Sequence, residues 1–381
     1  MKTNGCFEIE KLFETKKPDC LHNKKVVKRP QPCELIGSKE GSQMPTIDAD
    51  AHVIETENTW NYLEGHEAQF QPSLLSANCD GREFWLIDGN VFPRSNVNKA
   101  IPIASREMLD VKERLRHLDE LELDVQVLYP TVFLRQLTRK PEVEIALCKS
   151  YNRWLAELCQ RGEGRLKWVA TLPLMSMDAV LKEAVFAKEH GACGLFTRGL
   201  VNNRLFNDPY FYPLFEEAGR LDLPVCIHAS AGSFEWMQLF EKEGGFAQFK
   251  LPVLSSFHTI VYDGIPEKFP KLRIGFIEVR AEWIPYLLVD LAKRLEKKRG
   301  KTLIADLMSE QRLYVACQTD DDLSFILKYS GENNLLIGSD YGHVDTSAEI
   351  DALKRMKTKG DVSSEVIDKI LWDNPKAFYK I

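Results

Sequence analysis

The sequence lacks most features that assign a chain to a class at a glance. It has nine cysteines, an odd number, and no two of them form a C-x-x-C pair. That excludes a zinc ribbon and argues against a full disulfide framework. Cys148, Cys193, Cys226 and Cys317 sit in apolar surroundings and read as small buried hydrophobes, which suits a reducing cytoplasm. No apolar run approaches the roughly 20 residues that span a bilayer, so no membrane partner is expected. Residues 1–12 mix charged with apolar side chains, and an export signal is not expected there. Positive charge is not in excess: the net charge is −6, which leaves no basic footprint for nucleic acid.

What is present is the composition of a soluble globular protein, 44% hydrophobic and 28% charged over 381 residues. That length allows one large domain with additions or two ordinary ones. Residues 1–44 are rich in Lys, Glu and Pro with little apolar periodicity. They read either as an extension packing on the body or a neighbouring subunit, or as a disordered arm. From residue 45 to 381 short apolar segments alternate with amphipathic ones. The segments 46–52, 124–130, 166–172, 192–197, 224–228, 272–278, 312–317 and 334–340 are strand candidates. Several are almost continuously apolar, as parallel strands buried on both faces are. Helical periods fill 106–123, 141–160, 177–190, 209–221, 281–299 and 320–329. The alternation predicts an α/β fold, a (β/α)8 TIM barrel, with a doubly wound open sheet as the alternative.

Two segments exceed an ordinary connection of about 2–6 residues. An insertion, 56–105, follows the first strand. Within it, 84–92 reads as a hairpin with an Asp-Gly-Asn turn. The stretch 229–252 is Gly- and Phe-rich and follows the fifth strand. Both emerge where a barrel keeps its active site, as lids or walls of a pocket.

The strand ends are unusually polar. Asp50 and His52 stand two apart on the first strand, so they point to one face, and Glu55 follows. The fifth strand ends in His228, the sixth in Glu278, and the eighth in Asp340 followed by Tyr341-Gly342-His343. Each has an ordinary reading: a hydrogen-bonded His228, an ion pair of Glu278 with Arg280 or Arg198, a helix cap by Asp340. A carboxylate at the end of an apolar strand must nonetheless be paired, protonated or metal-bound. Four such ends meeting in one barrel predict a metal site, and histidines with carboxylates suit Zn, Mn or Fe.

These residues carry a resemblance. The chain resembles the amidohydrolase-related branch (amidohydrolase family 2) of the metal-dependent hydrolase superfamily, which includes decarboxylases of aromatic and related acids. The likeness covers about residues 46–381. It rests on Ile47-Asp48-Ala49-Asp50-Ala51-His52, Pro224-Val225-Cys226-Ile227-His228, Gly338-Ser339-Asp340-Tyr341-Gly342-His343 and Asp373-Asn374-Pro375. It implies that Asp50, His52, His228 and Asp340 hold one metal. The family's first-strand pair is usually His-x-His, and Asp50 replaces its first histidine. Glu278 stands where the decarboxylases often carry a catalytic histidine. These exchanges harden the donor set towards Mn or Fe. Glu55, Glu278, His258 and His343 are candidates for a second metal position. Similarity to a subgroup of dinuclear Mn/Fe or Fe/Fe oxygenases follows from the same residues.

Three functions result. The first is a metal-dependent hydrolase or C–C lyase (decarboxylase) of a small carboxylate- or carbonyl-containing substrate. Asp340 or Glu278 acts as its general base, Arg198 clamps a substrate carboxylate, and Trp236, Phe234 and Phe257 form apolar walls. The second is a dinuclear oxygenase using two redox-active ions per chain, so that the metal expected overall is Mn, Fe or Zn, one or two per chain. The third is a non-catalytic partner subunit. Family habit implies a homo-oligomer, a dimer, or a hetero-oligomer with a paralogue.

Overall fold

The computed structural model describes residues 44–77 and 81–381. The expected extension 1–44 lies, apart from Met44, outside the described residues. Eight parallel strands form one sheet in which spatial neighbours follow chain order. They are β1 (Ile47–His52), β2 (Val125–Tyr129), β3 (Leu166–Thr171), β4 (Gly194–Arg198), β5 (Val225–His228), β6 (Ile274–Ile277), β7 (Leu313–Cys317) and β8 (Leu335–Ile337). Helices α1 (Val111–Glu120), α2 (Pro141–Gln160), α3 (Met177–Glu189), α4 (Tyr212–Leu221), α5 (Leu251–Tyr262), α6 (Trp283–Arg299) and α7 (Leu323–Ser330) separate consecutive strands, and α8 (Asn374–Tyr379) ends the chain.

The first strand meets the last. The His52 amide donates to the Tyr341 carbonyl at 2.7 Å, and the Asp340 amide to the Asp50 carbonyl at 2.9 Å. This nearly closed (β/α)8 barrel replaces the doubly wound alternative, whose sheet has two free edges and a reversal of strand order. Closure demands a glycine: a Cβ on Gly338 would sit 2.2 Å from the Asp50 Cβ.

Buried polar bonds fix the closure. Asp48 accepts from the Gln126 amide nitrogen (2.8 Å), the Ser339 backbone (2.9 Å) and the Ser339 hydroxyl (2.6 Å). Arg114 of α1, fully buried, donates to Gln126 Oε1 at 2.8 Å and to the His52 carbonyl at 3.2 Å. Its guanidinium stacks 3.8 Å from the centre of the Tyr341 ring. The Asp373-Asn374-Pro375 motif anchors the start of β8, and Tyr379 of the helix it opens reaches β1. Asn374 Nδ2 donates to the Glu332 and Leu335 carbonyls, both at 2.9 Å. Tyr379 donates to the Ala49 carbonyl at 2.7 Å.

Several elements depart from the sequence expectation. Residues 106–123 do not form one helix: Ile103–Arg106 and α1 are separated at Met108, whose φ is 53°. The segment 229–252 is not irregular throughout. It holds the short helix Phe234–Leu239 and a wide turn, Phe246–Lys250, that runs into α5. Its glycines masked the apolar period that α5 carries. The hairpin is present, with Asp88 and Gly89 both left-handed (φ 47° and 76°) as its tight turn requires, but a third strand, Ser73–Ser76, pairs alongside it.

The insertion is stitched to the barrel. Asp88, at the hairpin tip, accepts from the Thr138 hydroxyl and the Lys140 ammonium, each at 2.6 Å. Arg94 bridges Glu83, Glu107 (2.9 Å) and the Glu55 carbonyl (3.3 Å). Asn96 binds Asp345 at 2.7 Å. Gly338→Ala is expected to cost about 3 kcal/mol or more, the upper range for overpacking, because backbone atoms of β1 block the new methyl. Urea unfolding of wild type and variant measures it.

Candidate metal centre

Backbone carbonyls set the orientation of the histidines. A carbonyl only accepts, so His52 Nδ1 donates to Pro130 at 2.9 Å and His228 Nδ1 donates to Ala229 at 3.0 Å. In the neutral form that binds metal, both rings therefore present an unprotonated Nε2 to the barrel mouth. His343 is turned the other way. The Thr131 hydroxyl is committed to the Val53 carbonyl (2.7 Å), so it accepts from His343 Nε2 (2.9 Å). That leaves His343 Nδ1 as the free lone pair.

Each free nitrogen faces carboxylate oxygen. His52 Nε2 lies 3.4 Å from Asp50 Oδ1 and 3.4 Å from Asp340 Oδ1. His228 Nε2 lies 3.2 Å from Asp50 Oδ1, and His343 Nδ1 lies 2.7 Å from Asp340 Oδ1. His52 Nε2, His343 Nδ1 and both Asp340 oxygens are buried without a hydrogen-bond partner. Buried acceptors aimed at acceptors repel unless a cation or a proton lies between them. A divalent metal fits this donor set.

The donor atoms fall into overlapping groups, each within 4.8 Å: Asp50, His52, His228 and Glu278; His52, Asp340 and His343; Glu278, Asp340 and Asp345. Glu278 and Asp340 lie just past the ends of β6 and β8 rather than within them, and both are left-handed (φ 61° and 50°). Such backbone costs about 1–3 kcal/mol per residue and collects at functional sites. Here it turns each carboxylate off its strand towards the cluster.

The electrostatics without an ion show the same conflict. Burial pushes the Glu278 carboxyl up to about 8. Burial, then repulsion from Glu278, lifts Asp340 well above the carboxylate range. Burial drives His343 well down, with His52 and His228 adding to it. Burial opposes charge on His228 too, but Asp50 outweighs it and raises the imidazole to about 9. At Asp50 burial is likewise overcome, and His228 and His52 hold the carboxyl below its usual range.

Other expected site residues lie elsewhere. Both Glu55 oxygens accept backbone amides, from Thr131 (2.9 Å) and Val132 (3.0 Å). Glu55 borders the cavity but belongs to none of the donor groups. His258 lies on α5 and pairs with Asp290 of α6 at 3.0 Å, on the outer helical layer. Its place on a helix, not a strand end, takes it out of the cluster. Arg198 is buried beside Glu144 (4.0 Å) and donates to the Phe133 carbonyl, and Arg280 pairs with Asp321 and Asp320 (3.0 and 2.8 Å). Neither engages Glu278. Trp236 does not line the cavity; its indole pins the Ala247 carbonyl at 3.0 Å. Phe257 packs in the core on Phe276 and Trp283, and Phe234 lies under Arg139.

A cavity of about 560 Å³ opens beside Glu278. Trp85 and Phe92 of the insertion and Phe246 and Phe249 of the loop after β5 line it, with Arg135 and Lys250. The strand-end reasoning missed Arg135, Lys250 and Asp345 because all three lie on loops. For Asp345 a signal existed, two residues beyond His343.

The sequence profile of the amidohydrolase family matches residues 47–381. The chain belongs to this family. It is 20% identical over 310 residues to the 2-amino-3-carboxymuconate-6-semialdehyde decarboxylase of Dictyostelium discoideum, covering 77% of this chain and 81% of that enzyme. In structure it resembles an amidohydrolase from Mycobacterium avium subsp. paratuberculosis, with TM-score 0.74 at 17% identity over 89% of this chain and all (100%) of that one. It also resembles the 5-carboxyvanillate decarboxylase of Novosphingobium aromaticivorans, solved with manganese and 4-hydroxy-3-methoxy-5-nitrobenzoic acid. There the TM-score is 0.61 at 19% identity, over 71% of this chain and 81% of that one. These likenesses support an amidohydrolase-family enzyme acting on a small molecule, and the oxygenase reading draws no support from them. Among the described residues no helix is long and apolar enough to cross a membrane.

Asp340→Ala should weaken metal binding about tenfold or more, while His258→Ala should leave it unchanged. Metal content after dialysis, read by plasma mass spectrometry, separates the two. Full metal content in Asp340→Ala would overturn the assignment.

Proposed function

We propose that this protein is a metal-dependent decarboxylase of a small organic acid. The observation that carries the reading is the set of unpartnered, mutually facing His and Asp groups, opening through Glu278 onto an aromatic-walled cavity. The decarboxylase relative, aligned over most of both chains, supports it. Asp50, His52, His228 and Asp340 would hold the metal, with Glu278 at its cavity side and His343 and Asp345 available to a second ion. The oxygen-rich donor set, and the manganese in the related decarboxylase, favour Mn. When bound, the ion supplies a Lewis acid that holds a substrate oxygen and draws electron density from the carbon that loses CO2.

The chain's own residues do the rest. Trp85, Phe92 and Phe249 exclude water and hold a flat acid against the cluster. The bond between the carboxylate and its carbon breaks, and its electron pair stays on that carbon. Glu278, whose burial favours the protonated form, delivers a proton there as CO2 leaves. His228 is held in orientation by its hydrogen bond to the Ala229 carbonyl. A hydrolytic reading would use the same carboxylate as a base towards water.

A second reading, a two-metal oxygenase, has one observation in its favour: the additional donor group His52, Asp340 and His343. Oxygen consumption distinguishes the two. Manganese-loaded protein offered a panel of hydroxybenzoates and unsaturated diacids should release CO2 with no oxygen uptake. Glu278→Gln should lower kcat by about 10²–10⁴-fold with metal retained. Oxygen consumed in step with substrate would reverse the conclusion.

A further inference from the structure

Among the described residues, two cations on the cavity wall form no ion pair with a carboxylate. Arg135 follows the turn after β2 and is held by pairing of its backbone with Ala231. Its guanidinium is largely buried, and burial alone acts on its pKa, with no charged group contributing. It lies over the face of Phe249, 5.5 Å from the ring centre. Lys250 closes the Phe246–Lys250 turn; its ammonium reaches the Ser347 hydroxyl at 3.4 Å, and its charge also acts on the Glu278 carboxyl without forming an ion pair. Both line the same cavity as Glu278. Arg94, on the same wall, shows the usual arrangement for this protein: two carboxylates, Glu83 and Glu107, neutralise it.

A buried guanidinium without a counter-ion is costly, and a planar fork of donors beside an aromatic face suits a carboxylate or an acidic hydroxyl. The carboxylate to be lost is placed at the metal cluster. A group at Arg135 and Lys250 is therefore a second one.

We infer that Arg135 and Lys250 form an anion subsite that receives a second acidic group of the substrate, so that the enzyme selects diacids over monoacids. The inference rests on the decarboxylase reading of the metal cluster. Arg198, the sequence candidate for a carboxylate clamp, is replaced in that role, because it is buried beside Glu144 and is not on the cavity wall.

The test reads binding, not turnover. Manganese-loaded protein is titrated with benzoate, phthalate, isophthalate and terephthalate, following quenching of tryptophan fluorescence and calorimetric heat. At least one dicarboxylate should bind tenfold or more tightly than benzoate. Arg135→Gln and Lys250→Gln should each abolish that preference while leaving benzoate binding within twofold. Arg135→Lys, which keeps the charge, should retain part of it, and thermal unfolding checks that each variant is folded. If no dicarboxylate exceeds benzoate in the wild type, or if the variants weaken benzoate and dicarboxylate alike, the subsite does not exist. CO2 release without a diacid preference removes the subsite and leaves the decarboxylase reading. A diacid preference without CO2 release from any acid does the reverse.

Discussion

Everything at the barrel mouth depends on how closely β1 approaches the end of β8. Asp48 binds both hydrogen-bond donors of Ser339, and Gly338 lets the Asp50 backbone pass where a methyl group would collide. That contact brings Asp50 and His52 from one end of the sequence to Asp340 and His343 from the other. Arg114 secures it from α1 and Tyr379 from α8. The donor cluster is a product of barrel closure: local structure pairs Asp50 with His52 and Asp340 with His343, and only the meeting of β1 with the end of β8 brings the two pairs together.

Closure also creates the conflict that defines the site. Three imidazoles are locked by carbonyls or a hydroxyl into tautomers that turn lone pairs towards carboxylates. In water this would relax by rotation or protonation. In a buried cluster the rings cannot turn, because their other nitrogens are already bonded. The left-handed backbone at Glu278 and Asp340 adds a further local cost. The fold tolerates these costs because a core running through all eight strands and their helices stabilises the surrounding barrel.

The sequence made the barrel legible through alternation alone, and Asp50, His52, His228, Glu278 and Asp340 legible through their place at strand ends. Strand ends converge in a barrel whatever the loops do, so that inference transfers directly to three dimensions. Loops offer no such rule. His258 looked available because the helix beneath it was hidden by a glycine-rich approach, and that helix points it at Asp290. Glu55 looked like a ligand from its spacing, yet it serves the amides of Thr131 and Val132. Arg198 sits at a strand end, but its guanidinium is buried off the cavity wall, 4.0 Å from the Glu144 carboxylate that α2 brings up. Arg135 and Lys250 carry no periodic or spacing signal and emerge only from the shape of the cavity.

The stitching of the insertion bears on how substrate comes and goes. Asp88 at the hairpin tip, Arg94 at its base and Asn96 beyond it fasten three successive points of the insertion to the body. A flap so tethered does not swing. Trp85 and Phe92 form a fixed jamb, and the opposite side is the Phe246–Lys250 turn, whose amides are gathered on the Glu243 carboxylate and whose Ala247 and Gln248 carbonyls share the Trp236 indole. The entrance therefore has one side fastened to the barrel body and one side fastened mainly to its own loop, through Glu243 and Trp236, two residues that lie outside the chamber they frame.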